Sequence, residues 1–345
     1  MKNQLLRFNS IALATAALSL WLLTPCISAA QTRIRLGTLL PQGTSQYQVL
    51  EKMGQDWRNA TSGGVTLTIY GGGAMGSEDD SVRRMRIGQL QAATLSVSGL
   101  SEIDPVVGAL EKIPMLYRSL DEEDYVRTKM AAEMEHRLEQ KGFVVLFWAD
   151  AGWIQIFSRQ AISRPDDLKK TKVFVTADDK DEVEIVKSLR IQAVPLEWTD
   201  VLISLQTGLV DAVPSTPFLC LAGQFDLPAK HLLQLNYVPL VGATVITKKA
   251  WDTLTPIQQE AMRKAAIEAG KQMQIKSRAE SDAAIEAMKK RGLQVHPVPP
   301  EAEAEWRQFL EGVYPKIRGT MIPPEIFDEV QRLLAGYRAG QRAGR

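Results

Sequence analysis

Three histidines, one run of glycines and a strand carrying a phenylalanine are the places where this chain could do chemistry. His136 lies in the charged helical segment "EMEHRLEQK" and reads as solvated. His231 follows "LPAK" and reads as a surface helix residue, and His296 precedes "PVPP" at a loop or strand end. None stands at metal-ligand spacing from a cysteine, a histidine or a carboxylate, so no metal and no cofactor is expected. There is no G-x-S-x-G elbow and no nucleophile–base pair, so the chain does not read as an enzyme. "GGGAMG" (Gly71–Gly76) fits G-x-G-x-x-G after a predicted strand. However, "SEDD" follows at once and would repel a pyrophosphate, and no acidic residue stands about twenty positions on to take a ribose. The glycines read instead as a close turn that brings backbone, Gly73 included, to a cleft. In "KVFVTADD" (Lys172 to Asp179) a short strand runs into an acidic loop, and Phe174 shares a face with Lys172 and Thr176 because side chains alternate.

Composition limits what these residues can be part of. "MKNQLLR", the short apolar run "IALATAALSLWLL" and "CISAAQ" have the charge, length and small residues of a secretory leader, with cleavage expected after Ala30. The apolar run is shorter than the roughly 20 residues a membrane span needs. Pro25 before Cys26 fits a lipoprotein signal poorly. Loss of the leader takes Lys2 and Arg7 from 41 Lys and Arg and nothing from 40 Asp and Glu. A near-neutral chain has no electrostatic footprint for nucleic acid. Cys220 is then the single cysteine, so no intramolecular disulfide forms even in an oxidising compartment. Stability must come from burial, and the remaining length suits two domains.

Strands and helices alternate in the first half. "RIRLGTLL" (Arg33–Leu40) reads as a strand, about 44–61 as a helix, and "VTLTIY" as a strand with Val65, Leu67 and Ile69 on one face. A helix over about 79–88, the strand "AATLSVS" and the apolar run "GFVVLFWA" (Gly142–Ala149) follow. This order argues for α/β architecture with mostly parallel strands covered on both faces. From Thr255 the chain reads as one long helix. Thr255 and Gln258 make a capping box around Pro256, and "KKRG" ends it at Gly292. About 36 residues at 1.5 Å each give roughly 54 Å, longer than one domain is wide. A break near Gly270 or Ser277 is the alternative. The closing "AGYRAGQRAGR" reads as a frayed, flexible tail over 336–345.

Five stretches, in order, carry a resemblance. They are "SGGVTLTIYGGGAMGSEDDSVRRMRIGQL", "IPMLYRSLDE", "SRPDDLKKTKVFV", "AVPLEWTDVLISLQTGLVDAV" and "ITKKAWDTLTPIQQEAM", spread over nearly the whole mature chain. Together they resemble the dicarboxylate-type periplasmic solute-binding proteins of tripartite ATP-independent (TRAP) transporters. The resemblance implies a two-lobed periplasmic binding protein fold with mixed sheets, crossing strands and one lobe-bridging helix. It implies lobe I from 31–152 and about 242–275, and lobe II from 153–241 and about 276–335. It also implies small and large membrane permease subunits as partners. A periplasmic sensor or scavenger of the same fold, working with a signalling or accessory protein, is the alternative function.

Two places depart from the family. The resemblance implies an arginine that pairs with the ligand's carboxylate, and Phe174 stands in its place. Asp211 is followed by "AVPSTPF", without the family's glutamate and asparagine. The expected ligand is therefore apolar or neutral, and Phe174 a wall of its pocket, facing Trp153 or the glycine turn. Trp153, Trp198 and Phe218 are further wall candidates, although Trp and Phe are commonly core. Thr176, Ser215 and Thr216 are the candidates for neutral hydrogen bonds.

Overall fold

The computed structural model describes residues 31–343; the leader and its cleavage point near Ala30 lie outside them. Nine strands form one hydrogen-bonded sheet: β1 (Thr32–Thr38), β2 (Val65–Tyr70), β3 (Ala92–Ser96), β4 (Phe143–Ser158), β5 (Lys172–Thr176), β6 (Gln192–Leu196), β7 (Ala212–Ser215), β8 (His231–Thr247) and β9 (Gln294–Pro297). Their order is β2-β1-β3-β8-β4-β7-β5-β6, with β9 on β8. The first lobe is built on β1–β3, which are parallel to one another, and the second on the parallel β5–β7. β4 and β8 run antiparallel through both lobes. The expected mixed sheets and crossing strands are thus one sheet, shared by two lobes. The run "GFVVLFWA" is only the first half of a 16-residue strand.

Each half of the sheet is covered on both faces. In the first lobe, Ile34, Leu36, Leu50, Met53 and Trp57 pack on one side, and Val82, Leu100, Val126 and Met130 on the other. In the second, Phe157, Phe174, Val201 and Leu205 face one way, and Ile156, Val173, Leu233 and Trp306 the other. Strands buried on both faces need continuous apolar sequence, which explains why these runs do not alternate.

The long helix spans Pro256–Lys290, 35 residues without a break and about 52 Å at 1.5 Å each. Thr255 and Gln258 form the capping box that the sequence implies. Its first half, through Met262, Ala266, Ala269 and Met273, belongs to the core of the first lobe. Its second half, through Ala284, Ile285 and Met288, belongs to the core of the second. Gly270 needs no break because it lies under β4, where a Cβ would stand 2.8 Å from Phe147 Cβ.

Two local expectations fail. His231 opens β8 rather than sitting on a helix, and its Nδ1 lies 2.9 Å from Nε2 of His296 on β9. The pairing is long-range, so spacing along the chain did not reveal it. The expected frayed tail continues the helix Pro324–Ala343. There Arg338 forks onto both Glu122 oxygens at 2.7 Å and donates to the Leu116 carbonyl at 2.8 Å, which docks the last turns on the first lobe.

Candidate ligand-binding cleft

A cavity of about 530 Å³ lies between the lobes. Its floor is the stretch where β4 and β8 cross: Ala149, Asp150, Ala151 and Ile154 from one, Val238 and Leu240 to Ala243 from the other. The pairing slips between Asp150 and Trp153, where Gly152 takes φ +82°. On the first-lobe side the glycine turn contributes Gly73, at φ +76°. A Cβ there would stand 3.1 Å from Thr199 Cγ2 of the second lobe, so the turn touches across the cleft. A second crossing contact joins Lys112 to Asp179, and Ser98 Oγ reaches the same carboxylate at 3.4 Å. Asp179 also caps the helix Lys180–Ser188 by accepting from the Glu182 amide at 3.0 Å.

Six of the eight residues proposed from sequence line this cavity: Gly73, Phe174, Thr176, Trp198, Ser215 and Thr216. Phe174 meets Trp198 edge-on, with centroids 5.9 Å apart, and Trp198 meets Phe225 at 5.2 Å. Phe174 is nonetheless only 4% exposed and packs with Phe157 and Leu205, so it is wall and core at once. Trp153 and Phe218 are not brought to the cavity. The slip in β4 leaves Ile154 facing it and sends Trp153 to pack against the first lobe's core. On the helix Pro217–Ala222, Leu219 faces the cavity where Phe218 was expected to.

Sequence reading missed the charge of the lining. From the first lobe come Glu78, Asp79, Asp80, Glu102 and Glu111, from the crossing Asp150, and from the second lobe Asp178, Asp179, Glu182 and Glu197. Lys112 is the one lining cation among the described residues, and Asp179 holds it. Glu78 is satisfied, accepting from the Ser96 amide and hydroxyl and from the Gly99 amide at 2.6–3.0 Å. Burial still raises its pKa. Burial, then the carboxylates of Asp79, Asp178 and Asp179, raise that of Glu102. Burial, then Asp178 and Asp80, raise that of Glu197. Glu111 is pushed up to about 8, chiefly by burial, although its carboxylate accepts from the Val241 amide at 2.7 Å. Burial and neighbouring Asp179 raise Glu182 likewise. The one available signal was "LEKIP": a Glu-Lys pair inside an apolar run is seldom buried without a task.

A trio of carboxylates, Glu123, Asp124 and Asp150, lies close enough to hold a cation. Arginines already supply that charge. Arg127 Nε reaches Glu123 at 2.8 Å, and Arg278 reaches Asp150 at 2.7 Å and Asp124 at 2.9 Å.

Two lobes around a cavity can close on a solute. The profile of the family described as bacterial extracellular solute-binding protein, family 7, matches residues 36–319. The chain belongs to this family. It is a solute-binding protein of the TRAP type that its motifs resemble. Among its relatives is a solute-binding protein of Verminephrobacter eiseniae, 25% identical over 246 residues, covering 71% of this chain and 73% of that protein. The C4-dicarboxylate-binding periplasmic protein of Rhodobacter capsulatus is 22% identical over 312 residues, covering 89% and 92%. A TRAP periplasmic solute-binding protein of Ralstonia eutropha H16, crystallised with bound (S)-2-acetolactate, has the same fold. It superposes with a TM-score of 0.83 at 20% identity, covering 89% of this chain and 99% of that one. Family 7 proteins bind solutes rather than transform them, and no helix among the described residues is long and apolar enough to cross a membrane.

Proposed function

We propose that this solute-binding protein captures a small organic ligand that is not an anion and delivers it to the small and large membrane permease subunits of a TRAP transporter. The observation that carries the ligand class is the cleft lining. Among the described residues its one cation, Lys112, is held by Asp179, and the rest of its charge is carboxylate. An anionic ligand would be desolvated among like charges, which opposes binding by several kcal/mol or more. The relatives with acids in their names or crystals support the role, not the same ligand. Phe174, where the family resemblance implies an arginine, points the same way. Export with cleavage near Ala30 belongs to this proposal, as does hinge closure with lobe boundaries near 152/153 and 241/242. The slip in β4 and Gly152 support a bend at that place.

Calorimetry with succinate and malate tests the ligand class: no micromolar binding is expected. Micromolar affinity for either anion would overturn it. Mass spectrometry of material co-purified with the exported protein is expected to find a neutral or cationic organic molecule, not an organic acid.

A further inference from the structure

The cleft holds more acids without partners than a neutral ligand explains. Glu111 is 8% exposed; its Oε2 accepts from Val241, and its Oε1, lining the cavity, has no protein partner among the described residues. Across the cleft, the half-buried side chain of Glu182 makes no hydrogen bond or ion pair among the described residues, and neither do those of half-buried Asp178 and Glu197 or of exposed Glu102 on the first-lobe side. The hydroxyl of Tyr237, close to both Glu111 and Glu182, likewise has no partner there. Buried acids are ordinarily paired or hydrogen-bonded. Glu78 and Asp150 in the same lining, and Asp104 outside it, obey that rule: Glu78 takes three donors, Asp150 an arginine and Asp104 two cations. Glu111, Glu182, Asp178 and Glu197 gather their free oxygens on one cavity, whereas Glu123 and Asp226 each keep a single buried free oxygen elsewhere beside an arginine.

We infer that the ligand is an organic cation, an alkylammonium or aryl-alkylammonium, whose charged nitrogen sits between Glu111 of the first lobe and Glu182 of the second. The inference rests on the cleft being the solute site proposed above. An ammonium donates the hydrogen bonds that Glu111 Oε1 and Glu182 lack, and charge-assisted bonds of this kind are the strong ones. Its apolar body is received by Phe174, Trp198 and Leu219, which line the same cavity. Aromatic faces also attract a cation. The carboxylates at the mouth raise the local concentration of positive solutes. Because the two acids come from opposite lobes, a cation between them also draws the lobes together.

The test uses the exported protein, dialysed, and nine probes: amine, alcohol and carboxylate head groups on phenylpropyl, cyclohexylpropyl and hexyl skeletons. Calorimetry at neutral pH is expected to give an amine at least about tenfold tighter than its alcohol on one or more skeletons. The carboxylates are expected not to bind at millimolar concentration. Alcohols that match or exceed their amines would overturn the cation inference and leave the neutral-ligand proposal standing. Carboxylates binding best, or binding only with added calcium, would overturn both. Absence of amine binding on every skeleton overturns the inference whatever the others do. Glu111→Gln and Glu182→Gln should each weaken the best amine about tenfold, with a smaller effect on its alcohol. Equal losses for amine and alcohol would assign these residues to shape rather than charge. Melts of the unliganded variants, expected at or above the parent's, separate binding from folding.

Discussion

Phe174 shows how one residue can serve a cavity and a core together. A side chain that only walled an open cleft could become arginine without loss of the fold. At 4% exposure, packed with Phe157 and Leu205, Phe174 also holds the second lobe together. Phe174→Arg should therefore destabilise by about 2–4 kcal/mol as well as abolish ligand binding. A thermal melt without ligand checks this; an unchanged melting temperature would show that the side chain swings freely into the cavity. Glu111 gives a pH signature. Facing it are the Val241 amide, Lys112, Glu182, Glu78 and Tyr237. Its pKa is near 8 in the folded protein and in the ordinary carboxylate range when unfolded, so the native state holds the proton longer. Stability should fall as pH rises from about 4.5 to about 8, then level. Glu111→Gln should flatten that slope in melts across the range and be the more stable protein at pH 8. Phe174 and Trp198 were visible in the sequence because aromatics near a family motif stand out. Glu102, Glu111 and Glu182 were not, because ordinary surface acids look the same until the chain brings them together in a cavity.

Among the elements, the long helix was the most legible, since its start and stop are local chemistry: a capping box at Thr255 and Gln258, a basic last turn, a glycine after it. The possible break at Gly270 was settled only by contact with β4. Alanine normally improves on glycine in a helix by roughly 0.5–1 kcal/mol. Here the added methyl would meet Phe147 at 2.8 Å in a junction of two packed elements. Gly270→Ala should instead cost about 1–3 kcal/mol, read as a lower urea midpoint with unchanged slope. A gain in stability would show that helix and strand part easily. His231 was misread because "AKHLLQL" fits a helical period, whereas its strand state comes from pairing with Phe157 and Ser158 of β4, over seventy positions earlier. The tail was misread for a related reason: its glycines suggest fraying, and its anchor, Glu122, lies far back in the chain.

At the scale of the whole molecule, the two-lobed plan followed from the order of elements and the resemblance, but the closed posture did not. At the cleft the lobes meet through the glycine turn against Thr199, and through Lys112 and Ser98 against Asp179. Asp179→Asn keeps a side-chain cap for the helix Lys180–Ser188 while removing the charge that holds Lys112. It should shift the unliganded protein toward an open form, with a larger radius of gyration in solution scattering and faster ligand release. An unchanged radius would show that the crossing strands alone set the posture.

The route of the chain has a consequence for descent. The polypeptide enters the second lobe along β4, returns along β8, and leaves again along the long helix. Neither lobe is a continuous stretch of sequence, so no crossover between two genes can exchange one lobe intact for another. A lineage of this fold can acquire a new solute by point substitution inside a cleft that stays whole. The cleft floor is also where the bend is proposed. Each such substitution is therefore screened twice, for what the cleft holds and for whether it still shuts.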